Sequence, residues 1–450
     1  MYTQVRNLDI VYTASCNMKC SYCFIHKNPD SMLKNNGAIR QALADGSFAQ
    51  AIIKQMADNK NDLIQLALWG GEPTLNQDLF EDFITPLLDF FPNVIEVHFS
   101  TNGSQSVLGF AEAIYKYTQT HPDRLLWLNV QFSIDGPPQI NDTNRAENAT
   151  RDTWNTLKEL IIYGNEHCNK FSHIHTAPKA TMNSKQYFDL AQGNNLFAWY
   201  KFFDEWQDSV VKLNTSDYAH HDWLAQPSFS QPSDWTLTEC KNYAILIKKL
   251  REIDDTQFKF YRHPLLTRVM EPYLMWMGNE IHQYPLGQIG CSGGISNYSI
   301  DYQGKLMTCH HVYDNVVMGD GAKKKFYKYT VADSEDENAL LFLNGYLYHD
   351  NIEFRKQQVF NLVTLMVYAG EIDKKYMEPI WFERLFLFSQ FEARCWCGEM
   401  ADITSNIYLS DIGSIRLYCY GALEELVAYY EQYKNRYQEY QSRRKLLRPE

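Results

Sequence analysis

The sequence lacks most features that would place the chain on nucleic acid or in a membrane. Its 42 Lys and Arg residues are outnumbered by 54 Asp and Glu residues, which leaves a formal net charge of −12. Because phosphate contacts need clustered basic side chains, this charge argues against nucleic-acid binding as the main role. No apolar run reaches the roughly 18 residues that a membrane-spanning helix needs, and the N-terminus lacks a secretion-signal pattern. We therefore expect a cytoplasmic protein with no membrane partner.

Disulfides are not expected either, since no export signal is seen. The chain nevertheless has ten cysteines, and clustered cytosolic cysteines are more often metal ligands or catalytic groups. Cys16, Cys20 and Cys23 form C-x3-C-x2-C, whereas Cys168 and Cys240 are isolated and are interpreted as small buried side chains. Zinc sites favour paired C-x2-C units. Three thiolates in one loop suit a [4Fe–4S] cluster whose fourth iron stays open to another ligand. The remaining five cysteines lie in the last third: Cys291, Cys309, Cys395, Cys397 and Cys419.

Apolar segments alternate with helical patterns over the first 200 residues. Strands are predicted at 7–13, 63–69, 94–100, 126–134 and 173–182, with a weaker one at 196–203. Strands that alternate with helices form parallel sheets with right-handed crossovers. The pattern predicts an α/β fold, an open, partial (β/α)6 barrel. A doubly wound sheet is the alternative, and the polar motifs would lie at the same sheet edge in both.

Three motifs follow the second, third and fourth predicted strands, where parallel barrels place their active sites. They are 70–73 (Gly-Gly-Glu-Pro), 100–103 (Ser-Thr-Asn-Gly) and 133–137 (Ser-Ile-Asp-Gly-Pro). Glycines let the backbone approach a ligand closely. A fourth motif, Asp142-x-x-Arg145, offers a guanidinium that can pair with a carboxylate ligand or form an ordinary surface salt bridge. For the polar residues of these turns, hydrogen bonds within the turn explain the pattern as well as a ligand does.

The cysteine triplet after a short strand, together with Gly-Gly-Glu-Pro, resembles the radical SAM superfamily. The resemblance implies that the open iron binds S-adenosylmethionine (SAM) and that reductive cleavage gives a 5′-deoxyadenosyl radical. It also implies that the backbone of 70–73 holds the SAM ammonium group, that Ser133 reaches the SAM carboxylate or ribose, and that Arg145 pairs with the SAM carboxylate. Asn102 and Asp135 bind SAM or orient its neighbours. The full set of implied SAM-binding residues is Phe24, Gly70, Gly71, Glu72, Pro73, Ser100, Asn102, Ser133, Asp135 and Arg145.

A second signature lies near the C-terminus, where Cys291, Gly304 and Cys309 form C-x12-G-x4-C. The segment 298–307 reads as a β-hairpin with its turn at Gln303-Gly304. With 318–320 (Met-Gly-Asp), this pattern resembles the opening of the SPASM/twitch auxiliary-cluster domain. A full SPASM module has seven cysteines for two clusters. The five present here imply at least one auxiliary [4Fe–4S] cluster, held by ligands from Cys291, Cys309, Cys395, Cys397 and Cys419. A second cluster would need other ligands, such as His310 or His311, or an open site.

Four regions follow from these signals. We predict a radical SAM partial barrel over 1–195, a bridging or substrate region over 196–286, a small α+β SPASM/twitch-like domain over 287–420, and a C-terminal helix over 421–450. The bridging region is rich in aromatic residues, which form either its own core or a wall of the substrate channel.

The resemblance implies an enzyme that takes hydrogen from a ribosomally made peptide and installs a cross-link, an oxidation, an epimerisation or an excision. One alternative is a radical SAM enzyme for a small molecule. Another is an anaerobic sulfatase-maturase-like, formylglycine-forming enzyme. It is less favoured because those enzymes carry Asp directly after the Cys of G-x4-C, where this chain has His310. His310 is the candidate catalytic base, and a structural role explains it equally well. A non-enzymatic iron–sulfur or zinc scaffold would bind no SAM.

Two partners are expected besides the peptide. An external low-potential donor must supply the electron for SAM cleavage. Related peptide-modifying enzymes often have an N-terminal leader-binding domain, but the first predicted strand here begins near residue 7. We therefore expect any leader peptide to be recognised by a separate protein or by another surface.

Overall fold

The computed structural model describes residues 6–23, 29–182, 188–190, 192–193, 196–221, 228–229, 237–257, 297–307, 352–392 and 415–433. These residues divide into two compact units. Unit 1 takes the described residues within 1–180, 205–223 and 292–346, and unit 2 takes those within 181–204, 224–291 and 347–450. Within these ranges, no helix has the length and apolar composition needed to cross a membrane.

Unit 1 is built on one eight-stranded sheet. Its strands are β1 (Asn7–Thr13), β2 (Gln65–Gly70), β3 (Glu96–Thr101), β4 (Leu126–Ser133), β5 (Ser172–Lys179), β7 (Ala219–His221), β9 (Asn297–Ile300) and β10 (Leu306–Met307). The order across the sheet is β10-β9-β1-β2-β3-β4-β5-β7, and every neighbouring pair is parallel except β9 with β10. A doubly wound sheet reverses its strand order at a switch point. Strands β1, β2, β3, β4, β5 and β7 follow one another across the sheet in chain order, without such a reversal. The barrel-type α/β fold is therefore confirmed.

Helices cover one face of this sheet because that face is apolar. In β4, buried Leu126, Leu128, Val130 and Phe132 alternate with partly exposed residues, as expected for side chains that point to opposite faces. Aromatic contacts join strands to helices, as in the 4.6 Å between the ring centroids of Phe99 and Phe110. The helices of this region are α1 (Pro29–Ala44), α2 (Ser47–Gln55), α3 (Phe80–Phe90), α4 (Leu108–Thr120), α5 (Pro138–Asn144) and α6 (Ala149–His167), with 3₁₀ turns at Ala57–Asn59 and Pro73–Leu79.

The predicted strand at 196–203 is wrong, because these residues begin helix α7 (Leu196–Leu213). Trp199, Phe203, Trp206 and Val210 are all buried and lie on one stripe of the helix. The aromatic run 196–203 was too short to separate a helix from a strand, and the spacing becomes helical only when Trp206 and Val210 are included. The next parallel strand of the barrel is β7, which the sequence reasoning missed.

The predicted hairpin is present and its first strand extends the barrel sheet. Strand β9 pairs parallel with β1, so that Asn7 lies opposite Asn297, and β10 returns antiparallel to β9. At the turn, a carboxylate oxygen of Asp301 accepts hydrogen bonds from the backbone N–H groups of Gln303 and Lys305. Gly304 has φ +82°, a left-handed conformation that favours glycine. The boundaries of the four predicted regions stay a prediction.

Unit 2 is mostly helical, apart from the short parallel pair of β6 (Thr181–Met182) with β8 (Ser228–Phe229). Its described residues include the first turns of α7, and a 3₁₀ turn and a π-helical turn lie at Lys374–Met377 and Tyr418–Ala422. The further helices are α8 (Leu237–Gln257), α9 (Ile352–Tyr368), α10 (Pro379–Glu392) and α11 (Leu423–Tyr433). Helix α11 lies within the predicted C-terminal helix 421–450, of which residues 434–450 lie outside the described ranges.

Candidate metal centre and its surroundings

The three cysteines of the N-terminal triplet lie together on the loop that follows β1. Cys16, Cys20 and Cys23 are all partly buried free thiols. Burial raises the pKa of Cys16 to about 11, and the nearby charges of Glu72, Cys20 and Cys23 contribute further. Burial also raises the pKa of Cys20, against the opposing effect of Arg145. Thiolates in such a position need a cation beside them, and three thiolates are the donor set of an open-iron [4Fe–4S] cluster. The residues therefore fit the cluster, although no three His, Cys, Asp or Glu side chains of the described ranges are already arranged as a metal site.

Gly70 and Gly71 pack the end of β2 against this cysteine loop. The backbone N–H of Gly71 donates to the Thr13 carbonyl at 3.0 Å, and that of Glu72 donates to the Ser15 carbonyl at 2.7 Å. A Cβ atom on Gly70 would lie 1.8 Å from the Thr13 oxygen, and one on Gly71 would lie 2.0 Å from the Ser15 oxygen. The sequence indicated a close backbone approach here, and the structure shows that one partner in it is the cysteine loop. Contact of this backbone with SAM stays a prediction.

The start of the loop has a second support, Asn36 of helix α1. Its Oδ1 atom accepts hydrogen bonds from the backbone N–H groups of Ala14 and Ser15 at 3.2 Å, and from the Thr13 hydroxyl at 3.3 Å. Sequence reasoning missed Asn36, because a single Asn in a helical pattern carries no signal.

The side chain of Glu72 is turned away from solvent and joins two strand ends. It is 1% exposed. Its Oε1 atom accepts from the Thr74 backbone N–H at 3.2 Å and from the hydroxyls of Thr74 and Thr101 at 2.7 and 2.8 Å. Its Oε2 atom accepts from the Asn102 backbone N–H at 2.6 Å. Burial raises the pKa of Glu72, and these donors offset part of the cost of burying its charge. The next residue, Pro73, is also buried and begins the 3₁₀ turn.

Asn102 connects this joint to the cysteine loop. Its Nδ2 atom donates to Asn17 Oδ1 at 2.8 Å and lies 3.8 Å from Cys16 Sγ. Its Oδ1 atom accepts from the backbone N–H and hydroxyl of Ser104 at 2.9 and 2.6 Å. Both ends of the amide are therefore held, and Asn102 faces a predicted cluster ligand.

Asp135 and Arg145 form a buried ion pair on the other side of the loop. Arg145 Nη2 lies 2.7 Å from Asp135 Oδ1, and Arg145 Nε donates to Oδ2 at 3.1 Å. The two side chains are 0% and 5% exposed, so the pair is not a surface salt bridge. Tyr22 of the loop donates its hydroxyl to Asp135 Oδ2 at 2.8 Å, and the Ser21 backbone N–H donates to the Asn144 carbonyl at 2.8 Å. Two predicted SAM ligands thus pair with each other and anchor the loop.

The other predicted ligands are less constrained or lie outside the described residues. Ser100 donates its hydroxyl to Gln131 Oε1 at 3.2 Å, and Ser133 stands opposite Lys179 in the sheet. Their contacts with SAM stay predictions. Among the remaining candidates, the structure does not describe Phe24, Cys291, Cys309, His310, Cys395 and Cys397.

Cys419 is the one predicted auxiliary-cluster ligand within the described ranges. It lies in the π-helical turn, and its carbonyl accepts from the Tyr376 hydroxyl at 2.9 Å. Burial raises its pKa well above the usual value, and the nearby charge of Cys240 contributes. Cys240, interpreted from the sequence as an isolated thiol, is indeed buried but lies near Cys419.

The sheet face opposite the helices is polar. Glu96 Oε1 accepts from Gln65 Nε2 at 2.7 Å and from Asn129 Nδ2 at 2.8 Å. Beside it, His98 stands between Ala67 and Asn129 in the strand register. Burial lowers the pKa of His98, and its Nδ1 atom has no hydrogen-bond partner within the described part of the chain. This face therefore offers charged and hydrogen-bonding groups in place of an apolar core.

A family model described as a 4Fe-4S single cluster domain matches residues 5–155, which include the triplet and strands β1 to β4. The chain is 26% identical over 157 residues to the cysteine-type anaerobic sulfatase-maturating enzyme of Clostridium perfringens, covering 32% of this chain and 37% of that enzyme. It is 23% identical over 205 residues to the radical SAM cyclopropyl synthase TigE of Paramaledivibacter caminithermalis, covering 43% and 40%. The chain thus matches less than half the length of these relatives.

Solved structures extend the likeness in fold to nearly the whole chain. Native anSMEcpe with bound AdoMet is similar with a TM-score of 0.52 at 14% identity, covering 95% of this chain and 97% of that chain. The same protein with AdoMet and the Cp18Cys peptide gives a TM-score of 0.51 at 16% identity, with the same coverage. The chain thus resembles radical SAM enzymes in the sequence of its first part, and it shares the fold of a solved structure with bound AdoMet. The matched 4Fe-4S domain includes Cys16, Cys20 and Cys23, whose role as cluster ligands stays a prediction.

Proposed function

We propose that the chain cleaves SAM reductively at the N-terminal cluster and uses the resulting radical to modify a peptide. The observation that best supports this proposal is the position of the cysteine loop at the carboxyl ends of β1, β2, β3 and β4. The residues that hold it there are Gly71, Glu72, Asn102 and Asp135. When bound, the cluster and SAM supply a 5′-deoxyadenosyl radical that abstracts hydrogen from an unactivated carbon.

The chain's own residues have three tasks in this proposal. The triplet holds three irons. The backbone of 70–73, with Ser100 and Ser133, contacts SAM. Arg145 either pairs with the SAM carboxylate in place of Asp135 or keeps the loop in position through that pair. Held in one geometry, the reacting groups gain the advantage of an intramolecular reaction.

Two observations favour a peptide as the substrate. The relatives include a sulfatase-maturating enzyme, and a structure with the same fold holds a peptide. We propose at least one auxiliary cluster, with Cys419 among its ligands.

Formylglycine formation is the second candidate, favoured by the 26% identity to a cysteine-type anaerobic sulfatase-maturating enzyme. Oxidation of a peptide Ser would remove two hydrogens. Oxidation of a peptide Cys would also replace its sulfur with oxygen. Cross-linking also removes two hydrogens but creates no aldehyde, so the aldehyde distinguishes a Ser oxidation from it, and the loss of sulfur distinguishes a Cys oxidation.

The first test uses the full chain, reconstituted anaerobically with iron and sulfide, beside the Cys16/Cys20/Cys23→Ala triple variant. We expect wild type to produce 5′-deoxyadenosine from SAM and dithionite, and the triple variant to produce none. The variant should keep the iron of the auxiliary site, so that its iron content falls by about four per chain. A wild-type protein that holds iron but cleaves no SAM would contradict the proposal and leave the scaffold hypothesis.

The second test is the mass of candidate peptides after anaerobic incubation with both proteins. We would compare two sets of peptides, those encoded beside the gene and those with a sulfatase-type Ser or Cys. A mass change must be produced by wild type alone. An aldehyde-reactive product then identifies formylglycine formation, and its absence favours another modification such as a cross-link. Deoxyadenosine formation without any peptide change would favour the small-molecule alternative.

A further inference from the structure

We propose that Asn102 is a positioning residue for the N-terminal cluster and tunes its reduction potential through Cys16. This inference rests on the proposed function, and it names a role for a side chain whose sequence motif left two roles open. Three observations support it: the contact with sulfur, the fixed orientation of the amide, and the buried carboxylate behind it.

The first observation is the approach of the amide nitrogen to a cluster ligand. Asn102 Nδ2 lies 3.8 Å from Cys16 Sγ, on the side of the loop that faces β3. The backbone N–H of Met18 approaches the same sulfur at 3.5 Å. Hydrogen bonds to ligand sulfurs raise the reduction potential of an iron–sulfur cluster, because the donor dipole stabilises the more negative reduced form.

The second observation is that the amide has little freedom to turn. Asn102 Oδ1 accepts two hydrogen bonds from Ser104, and its NH₂ group donates to Asn17 Oδ1. Asn17 in turn donates to the Ser104 hydroxyl at 2.5 Å. If the amide flipped, its NH₂ group would face the Ser104 N–H, so the network fixes the NH₂ group towards Cys16.

The third observation is the support of the Asn102 backbone. Its N–H donates to Glu72 Oε2 at 2.6 Å, and its carbonyl accepts from the Thr153 hydroxyl at 2.9 Å. Asn102 is 6% exposed. The Glu72 carboxylate therefore acts on Cys16 through Asn102, while the backbone N–H of Glu72 holds the cysteine loop at Ser15.

The test is a redox titration of the reconstituted full chain without SAM, followed by electron paramagnetic resonance (EPR) of the reduced N-terminal cluster. Asn102→Leu removes the N–H donor without adding charge. At the midpoint potential of the wild-type cluster, we expect the ratio of reduced to oxidised cluster in Asn102→Leu to be about fivefold lower than in wild type. Asn129→Leu is the matched control, because Asn129 is a half-buried sheet amide bonded to Glu96 and should titrate like wild type.

Asn17→Ala is a second variant that tests the inference if Asn102→Leu fails to hold its cluster. It leaves the Asn102 donor in place and removes the Asn17 amide, whose oxygen accepts from Asn102 and whose nitrogen donates to Ser104, so we expect a smaller fall in the same ratio. The inference would be overturned if both variants held their full iron content and titrated like wild type. It would also be overturned if Asn102→Leu held no cluster and Asn17→Ala titrated like wild type. Deoxyadenosine formation by wild type is measured separately, so failure of this inference and failure of the proposed function are distinguishable.

Discussion

The carboxylate of Glu72 accepts a hydrogen bond of 2.6 Å from the backbone N–H of Asn102, and this contact joins the turn after β2 to the end of β3. Both residues belong to motifs that the sequence placed thirty positions apart. The contact aligns two strand ends beside the cysteine loop. It also means that the Glu72 side chain serves the architecture of the site.

Replacing Glu72 with Gln should destabilise unit 1. A Gln side chain would present an NH₂ group to donors that now share a carboxylate, leaving at least one buried group unsatisfied. We expect a loss of about 2 kcal/mol in the free energy of unfolding, measured by denaturant titration. Glu81→Gln is the control, because Glu81 forms an exposed pair with Lys116 and its loss should cost less than about 1 kcal/mol. Equal stability of the two variants would contradict the role given to Glu72.

Replacing Asp135 with Asn should be more damaging, because it leaves the Arg145 guanidinium buried without a counter-charge. Breaking a buried pair in this way costs about 3–5 kcal/mol. Asp78→Asn breaks the exposed pair with Arg40, whose side chains are 45% and 58% exposed, and should cost about 1 kcal/mol or less. Thermal unfolding of the two variants measures the difference. A small effect at Asp135 would show that Arg145 finds another partner.

Gly71→Ala should prevent assembly of the cluster. The new Cβ would meet the Ser15 carbonyl oxygen at 2.0 Å, so the cysteine loop would have to move. We expect the variant to lose the N-terminal cluster signal, measured as iron content and EPR intensity. Gly37→Ala is the control, since nothing lies within 4 Å of its added Cβ in helix α1. That change should leave iron unchanged and stabilise the chain by about 0.5–1 kcal/mol.

His98 should make the stability of unit 1 depend on pH. Burial lowers its pKa in the folded state below the ordinary 6.5. The unfolded chain therefore binds more protons between the two pKa values, so stability falls as the pH drops below about 6.5. When the pH is lowered from about 7.5 to about 5.5, we expect the melting temperature of His98→Gln to fall less than that of wild type.

The control for this experiment is Gln119→Ala, because Gln119 is exposed on helix α4 and carries no ionisable group. It should keep the wild-type pH dependence. If His98→Gln also kept that dependence, His98 would not be a group whose titration changes the stability of the fold.

Local pattern predicted much of the site. The cysteine triplet, the glycine pair and the strand-end motifs are contiguous in sequence, so their spacing alone placed them at the carboxyl edge of a parallel sheet. The hairpin turn at Gly304 was predictable for the same reason, since a two-residue signal is enough for a tight turn. Helix α7 was missed because its buried stripe includes Trp206 and Val210, beyond the short run interpreted as a strand.

Contacts between distant segments were not predictable. Asn36 and Asn17 are ordinary polar residues in sequence, and only the folded loop brings them to Ala14, Ser15 and Asn102. The pairing of Asp135 with Arg145 depends on helix α5, which returns the guanidinium to the strand end. The addition of β9 to β1 joins residues almost 300 positions apart, and no local periodicity encodes such a contact.

The chain's primary structure therefore decided the chemistry that is available: three thiols on one loop, glycines where the backbone must come close, and α/β alternation that puts the motifs at one edge. Residue type and spacing suffice for this, because periodicity and turn chemistry act over a few residues. The tertiary structure decided which polar groups meet. Glu72 turns to Asn102, Asn102 to Cys16, and Arg145 to Asp135, because a buried charge or amide must find its partner in three dimensions, wherever that partner lies in the chain.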